Sequence, residues 1–179
     1  MTKILLILLV AASAAFAQSA KITVAQLYDG QLKMAEGEIV PAVEAMPEAK
    51  FNFAPANGEF KGVRTFGQQA KHLAAVIYLV SAAAKGEKLP VELGGESGPD
   101  AIRSKAQIVQ LLKDAFAYGH RAMATLTCQN EVDMVKSPFG GPDMARGALA
   151  ALAVSHSFDH YGQMVVYLRM NGIVPPASR

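Results

Sequence analysis

Apolar residues recur along this chain at helical spacing, with few of the alternating β-branched runs that mark strands. Val24, Leu27, Tyr28, Gln31, Ala35, Ile39, Ala42 and Met46 form one such series. It predicts a first helix from about Ile22 to Met46, kinked near Pro41 and ended by Pro47. Leu73, Val76, Ile77 and Val80 predict a second helix from about Phe66 to Ala84, with His72 on the border of its stripe. Val109, Leu112, Phe116 and Met123 predict a third from near Lys105 to about Thr127, with His120 close to the stripe. Leu149, Leu152, His156, His160 and Gln163 or Met164 share a face of a fourth, expected to start just after Pro142. Asn171-Gly172 followed by Pro175-Pro176 is a helix stop.

Two of these starts carry a specific local signal. Thr65-Phe-Gly-Gln68 and Ser104-Lys-Ala-Gln107 are capping boxes, in which hydroxyl and amide each satisfy a free backbone N–H. The connection 48–64 holds Phe51 and Phe53 and is expected to pack over an end of the helices. The glycine-rich stretch 86–103 is long for a helix–helix connection and reads as a loose crossover or, less commonly, a surface lid. Glu36 and Glu38 read as solvated, although one of them could turn inward. Four long helices without a repeat imply an all-α fold, a four-helix bundle around one core.

Composition narrows the rest. A net charge of +2 and the lack of a basic block interleaved with aromatics argue against a nucleic-acid partner. Residues 1–17 have the pattern of a Sec signal peptide: Lys3, an apolar run from Ile4 to Ala12, and a small-x-small site at Ala15-Phe-Ala17. The expectation is an exported protein, periplasmic or secreted, whose domain spans 18–179 and which has no membrane span once cleaved. A single cysteine, Cys128, excludes an intrachain disulfide. It reads as a buried small apolar residue near the end of the third helix.

The candidate chemistry lies in the histidines. His156 and His160 stand at i and i+4, so a helix stacks them on one face, which Leu149 and Leu152 turn toward the core. Buried imidazoles need hydrogen-bond partners or a metal. His72 stands at the inner border of another helix. Three neutral imidazoles suit a borderline divalent ion such as zinc or nickel and leave a coordination position open for water, a thiolate or a carbonyl oxygen. The E-x-x-H pairs of di-iron bundles and the CxxCH of covalent haem are both absent from the sequence. His156-Ser-Phe-Asp-His160 is close to the H-x-x-E-H of inverted zinc peptidases, but Asp159 falls on a different face from the histidine pair. A solvated or ligand-supporting role suits it better than that of a general base.

A capping Thr65, then His72-Leu-Ala, then His156, His160, Gly162-Gln163, Tyr167-Leu-Arg169, Gly172 and Pro175-Pro176, resembles the DinB-like (DinB/YfiT) superfamily over essentially the whole mature chain. The resemblance implies an up-down-down-up four-helix bundle, often dimeric. It implies a metal held by His72 of the second helix and by His156 and His160 of the fourth. Characterised relatives include transferases that use low-molecular-weight thiols and a maleylpyruvate isomerase. The function implied is a metal-dependent enzyme that activates water or a thiol on a small molecule, of hydrolase or thiol-transferase type. The alternative is a non-catalytic metal-holding or stress-associated binding protein. Two features depart from the family pattern. Export sits poorly with thiol cofactors that are mainly cytosolic, and His120 matches no ligand of the family, so its default is a core or boundary histidine.

Overall fold

The computed structural model describes residues 21–95 and 97–179; residues 1–17, read above as a signal peptide, lie outside the described part. Four helices carry the fold: α1 (Val24–Ala45), α2 (Phe66–Lys85), α3 (Lys105–Met123) and α4 (Arg146–Met170). An antiparallel pair of two-residue strands, β1 (Met134–Val135) and β2 (Met144–Ala145), precedes α4. Among the described residues no helix is long and apolar enough to cross a membrane.

Contacts between named side chains fix the directions. Lys113 meets Glu44 and His120 meets Asp29, so α1 and α3 run antiparallel. Gln69 meets Gln163 while Arg146 reaches the Ala84 carbonyl, so α2 and α4 are antiparallel as well. Gly67 lies beside Ile108 and Gly119 beside Ile77, which makes α2 and α3 parallel. Gly147 lies beside Tyr28 and Tyr161 hydrogen-bonds Glu38, which makes α1 and α4 parallel. The bundle is therefore up-down-down-up, and the connections 46–65 and 124–145 join helices that share few contacts with one another.

Side-chain caps start three helices. Thr65 Oγ1 accepts from the Gln68 N–H at 3.3 Å, and Gln68 Oε1 accepts from the Thr65 N–H at 2.8 Å. Ser104 and Gln107 repeat the arrangement at α3. Thr23 and Gln26 form a third capping box, unread in the sequence because the first helix was expected to begin at Ile22. The start of α2 is fastened twice more. The N–H groups of Phe66 and Gly67 donate to the carbonyls of Phe53 and Phe51 at 2.8 Å each. The hydroxyl of Tyr167 donates to the Arg64 carbonyl at 3.1 Å. Phe51 packs edge-on against Phe66 and Phe53 against Tyr167, so the first connection does cover an end of the bundle.

Several expectations are corrected. The buried face of α1 runs through Leu32, Ala35, Ile39, Val40, Ala42 and Val43; Leu27 and Gln31 stay exposed. The helix continues through Pro41 to Ala45. The last helix does not start at Pro142. Its first N–H groups, those of Arg146 and Gly147, donate across the loop to the Asp133 and Glu131 carbonyls at 3.0 and 2.7 Å, and the β1–β2 pair sets that register. Cys128 is exposed, not buried. The third helix ends at Met123, and in the turn that follows Leu126 takes the inward position. The stop of α4 is as read: Asn171 caps it, Gly172 takes a left-handed φ of +73°, and the Ile173 N–H closes back on the Leu168 carbonyl at 3.0 Å.

Candidate metal centre

The two long antiparallel neighbours α2 and α4 bring the histidines together. Residue 72 lies two turns into α2, and the caps and cross-links at Arg64–Gly67 set that depth. His156 and His160 extend from α4 toward it. His72 Nε2 lies 3.1 Å from His156 Nε2, and His156 Nε2 lies 3.0 Å from His160 Nε2. One ligand nitrogen from each of the three falls within 4.8 Å of the other two. His160 is 4% exposed, whereas His72 and His156 are half-buried, so the cluster has a closed back and an open side. His120 is elsewhere, at the α1–α3 boundary. Its Nδ1 meets Asp29 at 2.7 Å and its Nε2 meets Glu36 at 3.0 Å, as befits a boundary histidine. Glu36 is thus engaged away from the three histidines, and Glu38 is bonded to Tyr161.

A polar chain behind His160 was not legible in the sequence. His160 Nδ1 lies 2.5 Å from Gln69 Oε1. The oxygen can only accept, so Nδ1 carries the proton, and in the neutral ring Nε2 keeps its lone pair toward His72 and His156. Gln69 is 2% exposed and in turn donates through Nε2 to Gln163 Oε1 at 2.8 Å. Gln163 donates to Asp159 Oδ2 at 3.4 Å. Every link points the same way, with a carboxylate as final acceptor. The exposed Asp159 therefore supports the site through two amides rather than acting as a base within it.

Burial pushes the pKa of His160 below that of free imidazole, to about 4, and the neighbouring His156 and His72 rings and the Arg64 guanidinium push the same way. His156 is lowered too, by burial first and then by His72. Both rings are therefore neutral at pH 7, and their nitrogens offer lone pairs rather than protons.

His156 Nε2 faces two other Nε2 atoms at hydrogen-bond distance. One N–H there could serve one of those contacts, whereas a shared cation serves all three nitrogens at once. Zinc binds imidazole at about 2.0–2.1 Å, which puts two ligands of one tetrahedral ion about 3.3 Å apart, close to the spacing seen. The donor set fits.

The sequence model of the DinB superfamily matches residues 31–164. This chain belongs to the DinB superfamily. Solved structures agree at the level of fold. A DinB-like protein from Bacillus cereus ATCC 10987 superposes with a TM-score of 0.66 at 18% identity, covering 86% of this chain and 96% of its own. A DinB-like protein from Bacillus subtilis gives a TM-score of 0.61 at 15% identity, covering 82% and 92%. A conserved protein from Enterococcus faecalis gives 0.66 at 18%, covering 84% and 98%. No curated protein matches the sequence. At these identities the DinB neighbours speak for the bundle, and the three-histidine group is a property read from this chain.

Proposed function

We propose that this DinB-superfamily chain holds one divalent ion, zinc or nickel, through His72, His156 and His160, and acts as a metal-dependent enzyme on a small molecule, by hydrolysis or thiol-dependent transfer. One observation carries the proposal: three imidazole nitrogens from two helices converge within 4.8 Å, with His160 held in one tautomer by Gln69. An ion bound there would supply Lewis acidity, undiminished by any anionic ligand. The protein's own part is to present lone pairs, to fix His160 through Gln69, and to close the back of the site while leaving the His72–His156 side open. The proposal extends to an exported, homodimeric protein, supported by residues 1–17 and by the family pattern respectively.

The test is metal analysis of purified protein followed by turnover assays on esters, lactones and thiol–electrophile pairs. Turnover that disappears with a chelator and in His160→Ala supports the enzyme. Stoichiometric metal without turnover supports the other reading, a metal-holding binding protein of the stress-associated kind. The largely apolar wall beside His72 favours that second reading, because among the described residues that line it only Glu92 adds a carboxylate.

A further inference from the structure

His72, alone of the three histidines, also lines a cleft of about 840 Å³, within the range of small-molecule sites. Its floor is a second apolar face of α2. His72, Ala75, Val76 and Leu79 follow one another at i, i+3, i+4 and i+7, next to the core stripe of Leu73, Ile77 and Val80. That arrangement explains why α2 is apolar nearly all round. A helix with one buried face would show polar residues where Val76 and Leu79 stand.

The roof is the 86–103 connection, which contributes Leu89, Val91 and Leu93, with Phe139 at the rim. The connection is fastened rather than loose. Lys71, the residue before His72, is 9% exposed and donates from Nζ to the Pro99 carbonyl at 3.0 Å. Gly98 has a φ of +75° and lies so near α2 that a Cβ there would sit 2.7 Å from the Lys71 Cβ. Gly98 also closes a bridge to Gly95, its N–H donating to the Gly95 carbonyl at 3.0 Å. Roof and metal-site residue are thus tied to adjacent positions of one helix. Among the described lining residues no lysine or arginine offers a contact for an anion, and the Glu92 carboxylate would repel one.

We propose that this cleft binds uncharged, predominantly aliphatic small molecules, with the tail between α2 and the 86–103 roof and a polar head at His72. The placement of the head rests on the metal proposal; the pocket for the tail does not. A large polyanionic thiol cofactor is a poor occupant for the same reason, since the described lining residues offer it neither cations nor hydrogen-bonding side chains in number.

Two ligand series test this separately. Straight-chain alcohols from butanol to octanol, titrated into metal-free protein, probe the tail site alone. Alkyl hydroxamic acids from acetyl to octanoyl, titrated into zinc-loaded protein, probe tail and head together. Affinity should rise by up to about fourfold per methylene in both series. Leu93→Asp and the partly exposed Leu89→Asp should flatten both slopes while leaving helix content and zinc occupancy as in the wild type. Flat slopes in the wild type overturn the pocket, and so do slopes that both variants leave intact, because binding would then lie elsewhere. A rising alcohol series beside flat hydroxamates overturns the placement of the head. If acetohydroxamic acid fails to bind zinc-treated protein and zinc itself is absent, the metal proposal falls, and a rising alcohol series still supports the pocket.

Discussion

Gln69→Leu is the most informative single change, because it leaves all three histidines in place. The side chain is 2% exposed and makes two hydrogen bonds, accepting from His160 Nδ1 and donating to Gln163. Leucine is of similar size and should fill the space. Gln163 is exposed, so water replaces its lost bond. His160 has no such replacement at its buried Nδ1–H. An unsatisfied buried donor costs about 1–3 kcal/mol, and loss of the partner that orients a metal-ligating histidine typically costs ten- to a hundredfold in metal affinity. Zinc affinity, measured by competition with a chromophoric chelator at neutral pH, should fall in that range. Metal-free Gln69→Leu should lose about 1–3 kcal/mol in urea unfolding. Gln69→Glu restores an acceptor and should recover part of the affinity. Gln163→Leu, one link further out, should cost much less. Zinc affinity within twofold of the wild type in Gln69→Leu refutes the idea that Gln69 fixes His160 for metal.

Other expectations follow from the same geometry. In metal-free protein the His160 pKa of about 4 lies below the value near 6.5 in the unfolded chain. Between those values the unfolded chain binds a proton that the folded one does not. Stability should therefore be unaffected by His160 above pH 6.5, fall as pH drops toward 4 by about 3 kcal/mol, and level off below, as read by urea midpoints against pH. Thr65→Ala removes the hydroxyl cap of α2 and should cost about 1 kcal/mol of stability, with zinc affinity falling too because the start of α2 sets the depth of His72. Gly98→Ala forces a side chain into a left-handed backbone and against Lys71, so proteolysis within 86–103 should speed up while the bundle's circular dichroism is retained.

What the sequence made legible is what short spacing encodes. The capping boxes at Thr65 and Ser104 are fixed at three residues, and both hold. The i,i+4 pair of His156 and His160 does come onto one inward face, and His72 does meet it. The phase of α1 was harder. Leu27 and Leu32 are both apolar, five residues apart, and only tertiary packing, with Leu32 against Gly119 of α3, decides that Leu32 is inside and Leu27 is 45% exposed. The burial of Cys128 failed for a related reason, since the exact end of α3 depends on a turn whose buried residue is Leu126. Gln69 carried no signal, because a lone glutamine in a helix gains its meaning from His160, which is 91 positions away. The crossover 86–103 looked loose from its glycines. At Gly98 the missing side chain instead allows the close approach to Lys71 that fastens it.

The most direct test of the metal site is elemental analysis of purified protein after zinc or nickel loading and removal of excess, across four histidine variants. Wild type should retain close to one ion per chain. His72→Ala, His156→Ala and His160→Ala should each lose most of it, because two imidazoles hold an ion poorly. His120→Ala, whose ring is bound to Asp29 and Glu36, should retain it. Full occupancy in His72→Ala together with loss in His120→Ala would contradict the ligand assignment, and no retained metal in the wild type would contradict the site itself.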